Sequence, residues 1–271
     1  MSITRQNLSI IIVSYKSEHV IEKCINSVDN QIEIVIVDNS NNKDFKKNIE
    51  KKYANVKCIL SSENLGMGAG NNLGIKNIKS DFAFILNPDV YLEKDSLDEI
   101  IKASKDIDDF GILAPISNKN RYPNYQLQKN TEFDTNKPFR VKSVDGFAMV
   151  LNLSRLKKLE NFEFFDESFF MYLENDDLCK RLIQENEYIY IIPKSKVNHL
   201  GGEAVDPKYE KEIEYSRNWH WMWSKFYFNK KHGGYLNAFI KVFPIFISAT
   251  FKMLMYFFIN NKKKRIYFYR V

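Results

Sequence analysis

Three apolar runs, each followed by polar residues and then by a helical pattern, restrict this chain more than any other feature. They are residues 8–15 (LSIIIVSY), 33–40 (EIVIVDNS) and 81–90 (DFAFILNPDV). Continuous apolar runs of this length, the first of them β-branched, suit strands buried on both faces. Between the first two, Val20, Ile21, Cys24, Ile25 and Val28 recur at helical spacing. Residues 43–53 read as a charged surface helix, 56–60 as a short strand and 66–79 as a helix with a glycine-rich start. After the third run, 95–107 reads as helix and 110–116 as extended chain. Strands and helices alternating at this length predict an α/β fold with a parallel sheet covered on both faces. Such sheets bind ligands beyond the carboxyl ends of their strands. The polar tips Ser14-Tyr15, Asp38-Asn39 and Asn87-Pro88-Asp89 all fall there. Three consecutive populated tips are the first functional signal.

The pattern weakens over 117–140, which is rich in Asn, Lys, Tyr and Pro and reads as a long excursion. Residues 141–151 read as extended, 174–186 as helix, 188–192 and 196–199 as two strands, and 208–231 as an aromatic-rich helix. Residues 238–259 are the most apolar segment and about long enough to span a bilayer. Lys241 and Lys252 interrupt it, and Pro244 lies inside. Lys241, Pro244, Ser248 and Lys252 follow at spacings of three and four, which puts them on one helix face. That stripe favours a helix lying in the membrane interface, ahead of one packed on the domain or another subunit, and ahead of a spanning helix.

Charge and cysteine usage narrow the setting. The net charge of +6 is partly concentrated in the block Lys262, Lys263, Lys264 and Arg265. Following an apolar segment, such a block favours anionic lipid over a solvated tail. No nucleic-acid-binding motif accompanies it. Cys24, Cys58 and Cys179 form neither a disulfide framework nor a zinc pattern and read as free thiols in a reducing compartment. The first ten residues lead straight into a strand, with no secretory signal pattern.

These residues together resemble the family-2 inverting glycosyltransferases, most closely the rhamnosyltransferase-like branch that builds bacterial surface polysaccharides. The resemblance covers roughly 8–232 and rests on seven motifs in order: VSY at 13–15, VDNS at 37–40, NLGMGAGNNLGI at 64–75, NPDV at 87–90, VDGFAMVL at 144–151, FFMYLENDDLCKRL at 169–182 and HLGGE at 199–203. It implies a nucleotide-sugar-binding fold of GT-A type, a Rossmann-like, mostly parallel sheet with a C-terminal helical, membrane-associating extension. Residues 1–205 would form the catalytic domain and 206–271 the extension. The resemblance implies that Ser14, Tyr15 and Asp38 hold the nucleotide; Asp38 at a strand tip equally suits a turn cap. Asn64, Gly66, Gly70 and Asn71 would line the nucleotide-sugar site, although small residues there serve tight helix–sheet packing as well.

NPDV stands where the family carries its metal-binding DxD motif. Asn87 replaces the first carboxylate, which leaves Asp89 as the main ligand of Mg²⁺ or Mn²⁺. His199 would join it at the metal or the pyrophosphate. Asp145 and Gly146 would lie on the sugar or acceptor side. The family's usual base position is Asn175 here, and an amide cannot take a proton. Glu174, Asp176 and Asp177 remain; Glu174 and Asp177, three apart on one face, are the preferred base and its orienting partner. An acidic first helical turn also suits the helix dipole without any catalysis.

The expected activity is inverting transfer of a sugar such as rhamnose from a dTDP- or UDP-sugar to a glycan or lipid-linked acceptor. The expected location is the inner face of the cell membrane, cytoplasmic and peripheral, with oligomerisation left open. A nucleotidyltransferase would carry a basic, glycine-rich loop after the first strand, where VSYKSEHVIE stands instead. The two Asn replacements keep a non-catalytic, membrane-docked sugar-binding or scaffold protein as the alternative.

Overall fold

The structure is a computed structural model that describes residues 1–117, 123–128, 134 and 136–259. The basic block at 262–265 and part of the 117–140 excursion lie outside the described residues.

In chain order, the first half comprises β1 (Leu8–Ser14), α1 (Ile21–Asn26), β2 (Glu33–Asp38), α2 (Lys43–Lys52), β3 (Val56–Leu60), α3 (Gly66–Lys76), β4 (Phe82–Leu86), β5 (Val90–Leu92), α4 (Ser96–Asp106) and β6 (Phe110–Ser117). There follow β7 (Tyr125–Gln126), β8 (Phe139–Arg140), β9 (Ser143–Val144), β10 (Ala148–Asn152), α5 (Leu153–Leu156), α6 (Glu174–Gln184), β11 (Tyr188–His199), a 3₁₀ turn at Pro207–Tyr209 and α7 (Glu210–Phe258). Among the described residues, nine strands form one sheet in the order β3-β2-β1-β4-β10-β6-β11-β5, with β8 also on β11. The run β3-β2-β1-β4 is parallel, as is β6 with β11. β10 runs antiparallel between β4 and β6, and β5 antiparallel on β11. The fold is therefore α/β around a mostly parallel central sheet.

The side-chain period of two explains why β1 needs apolar residues throughout. Ile10 and Ile12 enter one core with Ile34, Ile36 and Phe84, whereas Ile11 enters the opposite core with Val35, Ala83, Ile85 and Met149. Each such side chain contributes roughly 1.5–3 kcal/mol when fully buried. On one face α3 lies against β1 with almost no spacer. A Cβ added at Gly74 would stand 2.5 Å from Ile11 Cγ2, and one at Gly70 would stand 2.9 Å from Val13 Cγ1. Packing alone therefore requires glycine at both positions.

Several boundaries differ from expectation: the extended stretch over 141–151 is β9 and β10 with a turn between them, and α3 ends at Lys76 rather than at 79. The helix expected over 18–28 is the shorter α1, and Ser27 closes it by donating from Oγ to the Cys24 carbonyl at 2.7 Å. The run 81–90 is not one strand. β4 stops at Leu86, a turn around Pro88 closes with Val90 N–H on the Asn87 carbonyl at 3.1 Å, and β5 leaves to pair with β11. The two strands expected over 188–199 are one, with a register shift between Ile192 and Lys196 where Pro193 lacks an N–H. The helices expected over 208–231 and 238–259 are one helical run, broken at Gly234 (φ 81°, ψ 171°).

The chain divides into two compact units: Met1–Asp166 with Glu174–Asp206, and Glu167–Leu173 with the residues from Pro207 onward. The second is built on α7. Among the described residues, one helical stretch, Ile213–Phe258, is long and apolar enough to cross a membrane by length and composition.

Candidate active site

The tips of β1 and β2 form a closed turn. Asp38 Oδ1 accepts from Ser14 Oγ at 3.1 Å and from Ser40 N–H at 3.2 Å, and Oδ2 accepts from Asn42 N–H at 2.8 Å. Asn39 N–H donates to the Ser14 carbonyl at 2.8 Å. Ser14 and Asp38 are both buried. Asp38 thus works as a turn cap, the role an Asp at a strand tip readily takes, and Ser14 braces it. Tyr15 is half-buried beside them, with the Lys16 ammonium 5.0 Å from its ring centroid.

From this turn, Asn39 Nδ2 donates to the Gly66 carbonyl at 3.1 Å, which ties β2 to the start of α3. Asn64 Oδ1 accepts from Gly66 N–H at 3.1 Å. Asn71 is buried, and its Oδ1 and the Oδ1 of Asn39 have no hydrogen-bond partner. A buried amide oxygen without a donor costs about 1–3 kcal/mol, so a ligand donor is favoured there. Asn39 joins the candidate set although only its neighbour Asp38 was expected; its place on the tip was the available signal. Gly70, by contrast, meets Val13 and acts in packing.

The tip after β4 is built differently. Asn87 N–H donates to the Phe147 carbonyl at 2.9 Å, and the Asp89 carbonyl accepts from Leu200 N–H at 3.0 Å. These bonds draw Asn87, Asp89, Phe147 and His199 together. Phe147 stacks on the His199 ring, with centroids 4.2 Å apart. Asp89 is 2% exposed, His199 Nε2 stands 3.5 Å from its Oδ2, and its Oδ1 has no partner. Asn87 Oδ1 is buried and unpartnered as well. Among the described residues no three His, Cys, Asp or Glu side chains gather into a ready-made cage. Two orphaned oxygens and an adjacent imidazole nevertheless fit a hard divalent cation that takes its remaining ligands from phosphates and water.

The third wall is the start of α6. Asn175 Nδ2 donates to the Val144 carbonyl at 2.7 Å, and a Cβ added at Gly146 would meet Asn175 Cβ at 3.1 Å. Asn175 therefore fixes α6 against the end of β9 and the turn after it that carries Asp145 and Gly146. Asp176 pairs with Ser143; burial raises its carboxyl, opposed by that hydrogen bond and by Lys142. Asp145 is raised by its dense surroundings and next by Asp176, and is lowered by His199. This mutual influence links α6 to the Asp89–His199 wall. Asp145 N–H also donates to the Asn124 carbonyl at 2.9 Å, and buried Asn124 donates from Nδ2 to the Pro115 carbonyl at 2.9 Å. Asn124 sits in the patternless excursion, so nothing in the sequence pointed to it.

Glu174 is the first residue of α6 and is buried, and its Oε2 has no partner. Burial pushes its carboxyl up to about 7, with the negative charge of Asp176 adding to the rise and its own backbone N–H opposing it. A neutral-range carboxyl is what a proton-accepting base at physiological pH requires. Asp177 is fully buried and accepts from Arg181 Nε at 2.8 Å, while Arg181 Nη2 donates to the Phe164 carbonyl at 2.7 Å. The structure thus ties Asp177 to Arg181 and to the segment preceding the helix.

The sequence pattern of the family described as "Glycosyl transferase family 2" matches residues 9–174. The chain is similar to the low-salt glycan biosynthesis hexosyltransferase Agl10 of Haloferax volcanii, 29% identical over 198 residues, covering 66% of this chain and 62% of that protein. It is similar to the rhamnosyltransferase WbbL of Escherichia coli K12, 26% identical over 218 residues, covering 70% and 82% respectively. Among solved structures it is similar to GalNAc-T7, crystallised with UDP, GalNAc and Mn²⁺, with a TM-score of 0.57 at 14% identity, over 83% of this chain and 50% of that one. That last likeness concerns the fold alone. The chain thus spans under two thirds of the length of Agl10 and half of the GalNAc-T7 chain.

Proposed function

The chain belongs to glycosyl transferase family 2, and from that premise we propose that it transfers a sugar, with inversion, from a nucleoside-diphosphate donor to a glycan or lipid-linked acceptor. The observation that carries this reading is a pair of buried carboxylates, Asp89 and Glu174, each with an orphaned oxygen. Burying a carboxylate with unmet acceptors is costly, and a site that receives a ligand recovers that cost on binding.

In this reading the Asp38 turn, Tyr15, Asn39, Asn64, Gly66 and Asn71 border the nucleotide. Asp89, with Asn87 and His199 beside it, holds Mg²⁺ or Mn²⁺. A bound divalent cation would neutralise the charge that develops on the departing diphosphate. Glu174 takes the proton from the acceptor hydroxyl as that oxygen forms its bond to the anomeric carbon. The bond from that carbon to the diphosphate breaks on the opposite face, which inverts the configuration. Asp145, Gly146 and Asp176 lie on the acceptor side, and Asp177 holds α6 through Arg181. The Mn²⁺ reported with GalNAc-T7 supports the cation.

Similarity to WbbL supports rhamnose, and hence a dTDP-sugar, as the narrower choice, with UDP-sugars next. Residues 1–205 serve as the catalytic domain and 206–271 as the membrane-associated extension. For the extension, Lys241, Pro244, Ser248 and Lys252 are all exposed, and so are Phe239, Phe243, Phe246, Phe251 and Phe257. Exposed aromatic rings together with a polar stripe that carries two lysines favour a helix seated at an anionic lipid surface. That supports a peripheral position on the inner face of the membrane.

The test is thermal melting against UDP, dTDP and GDP and their sugars, with and without Mn²⁺. A donor at a hundred times its dissociation constant stabilises the folded protein by about 2.7 kcal/mol. The expected result is a metal-dependent rise in Tm with one donor, largest for dTDP-rhamnose. Folded protein whose Tm no nucleotide moves would overturn the reading.

A further inference from the structure

The segment leading into α6 is held in an unusual way. Residues 168–172 form a strap in which every residue meets α7. Ser168 accepts at its carbonyl from Trp223 Nε1 at 3.2 Å, and Met171 accepts at its carbonyl from Ser224 Oγ at 2.7 Å. Phe169 stands edge-on to Tyr227 at 4.9 Å, Phe170 stacks on His220 at 4.1 Å, and Tyr172 stands edge-on to Trp221 at 5.5 Å. His220, Ser224 and Tyr227 follow at spacings of four and three, one face of α7. Ser224 is fully buried.

The strap ends in two consecutive left-handed residues, Tyr172 (φ 70°) and Leu173 (φ 64°), neither of them glycine. Each costs about 1–2 kcal/mol. Such a pair persists only where its surroundings hold it, and the bond after Leu173 leads directly to Glu174. Oε2 of Glu174 has no partner, and its carboxyl bonds its own backbone N–H, so the carboxyl follows its backbone. Burial of Leu178 and Leu182 fixes the helix on the C-terminal side of Glu174. On the N-terminal side the backbone arrives through the strap.

We infer that Ser224, with Trp223, is a positioning residue for the transfer reaction, because its hydroxyl on the Met171 carbonyl holds the strained turn that delivers Glu174. The inference rests on Glu174 being the base, and it assigns α7 a part in transfer apart from any lipid contact.

The test uses the full chain and needs no acceptor. The Glu174 carboxyl is identified by ¹³C NMR as the glutamate titration lost in Glu174→Gln. Ser224→Ala frees the strap and lets the backbone that carries Glu174 shift, so its midpoint falls from about 7 toward the ordinary glutamate value. Ser224→Thr keeps the hydroxyl and restores the midpoint. Hydrolysis of dTDP-rhamnose or UDP-glucose with Mn²⁺, in which water takes the sugar and nucleoside diphosphate is released, falls about tenfold in Ser224→Ala, with donor affinity unchanged. Trp223→Phe, which removes one N–H from the strap, gives the same shifts at smaller size if Ser224→Ala does not fold. An unmoved Glu174 midpoint in folded Ser224→Ala or Trp223→Phe overturns the inference alone. A Glu174→Gln protein that still transfers, or lacks no neutral-range titration, overturns the base assignment and this inference with it.

Discussion

The two polar turns of the sheet use their aspartates in opposite ways. At the β1–β2 tip, Asp38 receives three donors from its own turn. After β4, Asp89 has one 3.5 Å contact with His199 and an oxygen left over. Both are buried at carboxyl ends of parallel strands. The first carboxylate maintains the shape of a surface, and the second holds unmet acceptor capacity at one. Glu174 belongs with Asp89 in this respect, since it too has an orphaned oxygen. A buried acid that is fully bonded marks scaffold; a buried acid that is not marks chemistry.

Substitutions should separate the two classes. The largest effect is expected at Asp89: Asp89→Ala removes Mn²⁺-dependent donor binding and lowers transfer by about a hundred- to a thousandfold. Calorimetric titration of the donor with and without Mn²⁺ checks it, and retained metal dependence would break the contrast. Next comes Glu174→Gln, which keeps donor affinity and lowers kcat by about a hundredfold or more. The wild-type kcat should rise with pH through about 7, as Glu174 loses its proton.

The same variant carries a stability signature of the opposite sense. The folded carboxyl lies near 7 and the unfolded one near 4.5, so the folded state keeps a proton that the unfolded state has lost. Stability therefore falls as pH rises from about 4.5 to 7, and the penalty stays in full above that window. Glu174→Gln relieves it, gaining up to about 3 kcal/mol at pH 8 and little at pH 4. Melting curves at the two pH values read this directly. The smallest catalytic effect is expected at Asp38. Asp38→Ala strands three donors and costs about 1–3 kcal/mol of stability. It weakens donor binding as the turn loosens but leaves kcat at saturating donor unchanged.

The contrast between these acids was not visible in the sequence. Strand runs, their polar tips and the glycine-rich helix were legible because period and composition carry them. The uses of the polar residues depend on partners distant in sequence or on local geometry. The sequence left Asp38 open between nucleotide ligand and turn cap, and the i,i+4 spacing of Asp177 and Arg181 allowed their pairing; which role each acid takes follows from side-chain directions. The Asn175 replacement suggested a damaged base position, yet its amide fixes α6 to the Val144 carbonyl. The run FFMY stood at the head of the motif at 169–182 without a role, and only its pairing with α7 reveals a strap. The break of 81–90 at Asn87 was legible in principle, since Pro88 sits where a tight turn favours proline.

One consequence of the backbone at Gly234 is mechanical. Its φ of 81° with ψ of 171° is a conformation essentially reserved for glycine. Unbroken, the 49 residues of α7 would be a rod of about 74 Å. The break leaves residues 235–258 as an arm of about 36 Å that pivots on one residue. A change of ten degrees at that pivot sweeps the far end of the arm through about 6 Å. The reach of the C-terminal helix is thus set by leverage from a single backbone position, and a lone methyl group added there would reset it.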